Sequence, residues 1–288
     1  MDLSIYGYMA SIFMGLSLGL IGGGGSILTV PILVYLFSIN PVLATAYSLF
    51  IVGLTALVGG GFYLKKGDVD LKTGFIFAVP SFIAVYLTRA YVVPQMPDPV
   101  FSIMNHAISK PLLIMLVFAV LMVVASFSMI RTKKTSEVAA ATPNTAATPN
   151  TAATPTKKSK EFSPMNRFLL ISLEGLVVGS ITGFVGAGGG FLIIPALVVL
   201  VGMPMEIAVG TSLLIIAAKS LLGFIGDIQH QAAIDWQLLF TVSGIAIVGL
   251  FIGMSLSKKV SEKALKKGFG YFVLIMGAFI LFDQIKKM

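Results

Sequence analysis

Two apolar runs in this chain are too long to cross a membrane once and too rich in glycine to stay helical throughout. The first covers residues 4–38. As one helix it would be roughly 52 Å long, against a hydrocarbon core about 30 Å thick. Gly22, Gly23, Gly24 and Gly25 lie in its middle, and each costs about 1 kcal/mol relative to alanine inside a helix. The helix is expected to break there and to resume at Ser26. The second run, 167–203, has the same excess length and the same kind of break at Gly186, Ala187, Gly188, Gly189 and Gly190, with resumption at Gly190.

The two runs are copies of one motif. GLSLGLIGGGGSILTVPILVYL at 15–36 aligns with GSITGFVGAGGGFLIIPALVVL at 179–200 at a constant offset of 164. Gly15, Gly19, Gly22, Gly24, Gly25 and Pro31 fall on Gly179, Gly183, Gly186, Gly188, Gly189 and Pro195. The register continues through Ala44, Ser48 and Leu49 onto Ala208, Ser212 and Leu213, and Val69-Asp70 meets Ile234-Asp235 one residue later in offset. Matching leucines arise by chance in apolar sequence; glycines and a proline in register do not. The chain is an internal duplication.

Further apolar stretches at 42–64, 71–93, 111–130, 207–226, 236–257 and 268–283 complete a many-pass membrane protein. Hydrophobic residues make up 57% of the chain and charged ones 11%, against about 25% charged in soluble domains. That excludes a soluble enzyme and an ordinary nucleic-acid binder. Without cysteine there is no disulfide or thiolate site, and His106 and His230 offer no metal-ligand spacing. No metal and no cofactor is expected. Asp2 and the lack of an Arg-rich start or A-x-A site argue against a cleaved signal peptide.

Between the copies lies a Thr/Pro/Ala-rich segment with TPNTAA at 142–147 and 148–153. Such composition cannot bury a core and reads as a disordered linker. The expected organisation is a first repeat over 1–131, a linker over 132–164 and a second repeat over 165–288.

The positive charges choose between parallel and inverted repeats. If each overlong run crosses once, twelve positive charges fall on one side and six on the other. If each run turns back at its glycines, fifteen share the side of the 65–72 loop, the linker and the 257–267 loop, opposite Lys110, Lys286 and Lys287. The second split fits the cytoplasmic bias of Lys and Arg far better. The expected fold is all-α and polytopic, with two inverted-topology repeats of about five segments each, discontinuous or re-entrant first helices, and a cytoplasmic linker.

Paired Gly/Pro-interrupted segments point to a transporter's binding site. Glycine runs free backbone N–H groups, and a resuming helix presents its positive end, so the two breaks and Ser26 form a candidate anion cradle. The bland alternative is close helix packing. Tyr47, Ser48, Thr211 and Ser212, at matching positions of the next helix, are candidate hydroxyl donors; back-bonding within the helix is the alternative. Lys219 lies deep in an apolar stretch, where charge is costly and marks function by default, and is the best placed to attract an anion. Arg89 and Glu174 are candidates for gating or coupling, or for snorkelling at an interface. Pro31 and Pro195 are flexible joints or tolerated kinks. Asp70 and Asp235 read as helix N-caps, and Tyr91 and Trp236 as interfacial anchors.

On GLIGGGGSILTVPIL, GFVGAGGGFLIIPAL, ATAYSL, AVGTSL and the VDL and IDW helix starts, the sequence resembles the sulfite exporter TauE/SafE family of toluene-sulfonate-uptake-type permeases. The resemblance covers both halves but not the linker. It implies a secondary carrier for small sulfur-containing anions such as sulfite or organosulfonates in the plasma (inner) membrane, working by alternating access, with protons or the anion gradient as drive. Ala187 stands in place of a glycine, and Tyr47 stands where Thr211 does, so the half-sites are expected to be unequal. An anion channel, or an intramembrane enzyme acting on a small anion or lipid, remains as an alternative. Against an enzyme, the chain has no H-E-x-x-H, no paired Ser–His spacing and no carboxylate cluster. No P-loop is present.

Overall fold

The computed structural model describes residues 3–103, 106–131, 164–199, 201–229, 234–257 and 262–286. The linker expected over 132–164 lies almost wholly outside the described residues, as does His230. The helices are α1 (Leu3–Ile21), α2 (Gly23–Leu36), α3 (Pro41–Lys66), α4 (Leu71–Gln95), α5 (Lys110–Ile130), α6 (Pro164–Val185), α7 (Gly190–Val199), α8 (Met205–Ile228), α9 (Trp236–Ser257) and α10 (Glu262–Lys286). Seven helices are long and apolar enough to cross a membrane among the described residues. Large apolar side chains such as Phe75 and Phe282, each 72% exposed, cover the outer faces of α4 and α10. Side chains of that kind suit contact with lipid.

Close glycine contacts give the packing directions. Gly15 lies against Ala246 and Gly19 against Leu250, so α1 and α9 run parallel. Gly175, Gly179 and Gly183 meet Phe77, Ser81 and Val85, so α6 and α4 run parallel as well. Gly53 and Gly60 instead meet Leu221 and Leu214, and Gly210 meets Tyr63: α3 and α8 are antiparallel. So are α5 and α10, with Gly270 on Met129 and Gly277 on Met122.

The turn carrying Asp70 and the turn carrying Asp235 mark opposite faces. The Asp70 N–H donates to Thr211 Oγ1 (2.9 Å), placing the start of α8 at the first face. The Asp235 N–H donates to Tyr47 Oη (2.7 Å), placing the start of α3 at the second. Asp70 caps α4 by accepting from the Thr73 N–H, and Asp235 accepts from the Leu238 N–H at the start of α9.

Helices α1 and α2 form a hairpin. Gly25 packs on Leu18, Thr29 Oγ1 donates to Met14 Sδ (2.8 Å), and the rings of Tyr8 and Phe37 meet edge-on at 5.2 Å. The chain thus leaves the Asp235 face, turns at Gly22 and comes back to it. Gly22 has φ 78° and ψ −124°, a conformation that a side chain would strain, and a Cβ there would crowd Ile194 and Val209. Past the turn the chain resumes at Gly23 as a 3₁₀ helix through Leu28, three residues earlier than Ser26, because Ser26 Oγ donates to the Gly23 carbonyl (2.7 Å) and draws that turn tight.

The helix-only expectation misses one element. Phe101–Ile103 (β1) and His106–Ile108 (β2) pair antiparallel with Phe101 opposite Ile108, in the connection before α5. The motif is too short to leave an apolar run, and it pairs backbone groups that no helix there would satisfy.

Candidate functional site

The two glycine-rich breaks meet. A Cβ on Gly23 would collide with the backbone of Gly190, and one on Gly190 with the backbone of Gly23; Gly188 packs against Ser26 and Val52. Only residues without a Cβ let the two segments touch this closely. The second turn is left-handed at three of its glycines, Gly186 (φ 74°), Gly188 (63°) and Gly189 (73°). The Gly186 N–H donates to the Thr182 carbonyl (2.8 Å) and the Gly189 N–H to that of Ala187 (2.6 Å). Ala187, Gly188 and Gly190 donate to no backbone carbonyl among the described residues.

Lys219 stands at this turn. It is 1% exposed, its Nζ donates to Thr182 Oγ1 (2.9 Å), and a Cβ on Gly189 would lie 2.7 Å from that ammonium. Helix α8 carries the lysine and α6 the threonine, so a cation from one helix is tied to the chain just ahead of the glycines. Free N–H groups beside a buried ammonium can hold an anion by charge-assisted hydrogen bonds.

At the other end of the turn Gly186 packs on Thr45 of α3. Thr45 Oγ1 accepts from Arg89 Nη1 (2.9 Å), which also lies 3.5 Å from Asp227 Oδ1. Arg89 is fully buried and sits in a π-helical turn, Thr88–Val92, within α4. The buried glycine turn therefore lies between two cations, Lys219 and Arg89.

The remaining residues singled out from sequence go elsewhere. Tyr47 and Thr211 accept hydrogen bonds from the helix starts of α9 and α4, so their oxygens join elements at opposite faces. Ser212 Oγ donates to the Val209 carbonyl (2.8 Å), whereas Ser48 Oγ is buried with no hydrogen-bond partner among the described residues. Glu174 lies next to Gly175, which packs on Phe77, twelve residues along α4 from Arg89, or about 18 Å at the helical rise. Pro31 closes a short α turn ahead of a π-helical turn, Ile32–Leu36, and Pro195 lies inside α7. Tyr91 and Trp236 are exposed.

A cavity of about 380 Å³ opens at the Asp70 face, lined by Ile21, Tyr63, Lys66, Glu206, Val209 and Met254 among others. It ends beside the first hairpin's tip, since Val209 touches Gly22. None of the sequence-predicted binding residues lines it. Asp227 was missed by sequence reading: it lies at the polar end of α8, where an aspartate looks like an ordinary boundary residue, and only the fold brings Arg89 to it.

A family model described as sulfite exporter TauE/SafE matches residues 8–280. A probable membrane transporter protein of Xylella fastidiosa (strain 9a5c) is 27% identical over 271 residues, covering 93% of this chain and 91% of the relative. The probable membrane transporter protein YunE of Bacillus subtilis (strain 168) is 26% identical over 278 residues, with 92% and 93% covered. A shorter match, 30% over 120 residues, joins 40% of this chain to 45% of the probable membrane transporter protein MJ0441 of Methanocaldococcus jannaschii. No solved structure matches the chain.

Proposed function

The chain belongs to the sulfite exporter TauE/SafE family, and from that premise we propose that this multi-pass membrane transporter carries a small sulfur-containing anion, such as sulfite or an organosulfonate, by alternating access. The observation that carries the reading is the meeting of the two glycine turns, Gly23 on Gly190, with the Lys219 ammonium at Gly189. There the substrate is held by N–H groups of Gly22–Gly25 and of Ala187, Gly188 and Gly190, by Ser26, Ser48 and Ser212, and by Lys219, while Tyr47 and Thr211 hold helix starts in this conformation. Pro31 and Pro195 serve as joints, Arg89 and Glu174 act in gating or coupling, and protons or the anion gradient supply the drive.

The helix directions support inverted repeats. Equivalent helices α3 and α8, and α5 and α10, pack antiparallel. Repeats related by an axis along the membrane normal would pair them parallel; an axis in the membrane plane reverses them. With the chain turning back at both glycine breaks, the charge distribution supports a cytoplasmic linker and a cytoplasmic Asp70 face in a plasma-membrane protein.

Purified protein in liposomes tests the proposal. Saturable uptake of labelled sulfite that is accelerated by sulfite on the far side is the expected result. Flux without saturation or trans-stimulation is a channel's behaviour and would refute the carrier.

A further inference from the structure

Inverted repeats give the Arg89 cluster an equivalent in the other half of the duplication. The offsets of 164 for α3 and α8 and 165 for α4 and α9 carry Tyr63, Val209 and Met254 onto Asp227, Thr45 and Arg89. The first three line the open cavity at the Asp70 face. Of the last three, Thr45 and Asp227 both reach Arg89, at the Asp235 face. Where one face has a cavity walled by tyrosine, valine and methionine, the other holds a closed cluster of a guanidinium, a hydroxyl and a carboxylate.

Arg89 has donors to spare. Its Nη1 is used by Thr45 and Asp227, while Nε and Nη2 are buried with no hydrogen-bond partner among the described residues. Idle buried donors are costly, and an ionised side chain inside a membrane protein marks a substrate path by default. The π-helical turn that carries Arg89 is a local departure frequent at functional sites. Nε and Nη2 form one edge of the planar guanidinium, the edge that takes two oxygens of a single carboxylate, sulfite or sulfo group side-on.

We propose that Arg89 is a second oxyanion subsite, at the face opposite the open cavity, held shut in this conformation by Thr45 and Asp227. The proposal rests on the carrier reading above. When the Asp235 face opens, the anion takes the Nε–Nη2 edge, and Asp227 is its internal competitor for the same guanidinium.

Binding of ³⁵S-sulfite, with toluenesulfonate as competitor, to the full chain in detergent tests this. Arg89→Lys keeps the charge but loses the fork and is expected to weaken binding about tenfold; Arg89→Gln, about 100-fold. Asp227→Asn is expected to bind at least as tightly as the unaltered chain. Arg89→Gln binding as the unaltered chain does, or Asp227→Asn losing as much as Arg89→Gln, overturns the proposal.

A second readout does not depend on those variants folding. The chain has no cysteine, so Ala90→Cys gives a single thiol at the position equivalent to Ser255, which lines the open cavity. In liposomes a membrane-impermeant maleimide should label it from the Asp235 face, and sulfite should slow that labelling. A thiol inert from that face overturns the subsite. If the unaltered chain binds neither sulfite nor toluenesulfonate, the sulfur-anion reading fails, and the subsite stands or falls on labelling alone.

Discussion

Lys219 and Gly189 act on each other at atomic range. The ammonium occupies the space that a Cβ on Gly189 would enter, and the left-handed backbone there disfavours any side chain. Gly189→Leu is therefore expected to abolish substrate binding while the protein still inserts in the membrane; normal transport by that variant would remove the glycine turn from the site. Lys219→Ala should weaken anion affinity at least tenfold, the scale of one lost charge-assisted hydrogen bond, and an unchanged dissociation constant by calorimetry would count against it. Lys219 was legible from sequence because a lysine in an apolar run is conspicuous. The Arg89–Asp227 pair was not: the residues are 138 positions apart and each taken alone resembles a helix-end charge. Nor does spacing reveal that Tyr47 and Thr211 accept from helix starts, since a hydroxyl's partner depends on which helix end arrives beside it.

At the level of elements, two helix starts are tied down in the same way. Asp70 caps α4 while its N–H is held by Thr211, and Asp235 holds the Leu238 N–H while its own N–H is held by Tyr47. The Thr73 hydroxyl, then the N–H groups of Thr73 and Lys72 and the Lys72 charge, hold the Asp70 carboxyl below its ordinary range despite partial burial. A lowered carboxyl contributes stability that is fully present above the ordinary aspartate range and is lost as pH falls through the lowered value. Asp70→Ala should thus cost about 1 kcal/mol at pH 7. Melting curves in detergent should show that difference shrinking on acidification; a difference that grows would contradict the assignment. Thr211→Val, which removes only the acceptor for the Asp70 N–H, should lower the melting temperature without altering the cap. Capping aspartates can be found in sequence, but the hydroxyl reaching across from another helix cannot, because it depends on α8 starting where α3 ends.

For the whole molecule, composition alone displayed a helical protein of many passes, and the structure has seven helices able to span among the described residues. The short β1–β2 ribbon left no signal of its own, since three-residue strands are below the length at which alternation can be read. The proposed orientation has its own test: a reporter fused within 132–163 should be active only in the cytoplasm, and a periplasmic signal would overturn that orientation.

Where Gly23 rests on Gly190 no side chain lies between the two hairpins to absorb a displacement. In alternating access as proposed, a push on one tip passes directly to the other, backbone to backbone, and the contact is kept as the two tips tilt. On the proposed mechanism this contact protects the cell from leak: a path open from bath to bath would require the two glycines to separate.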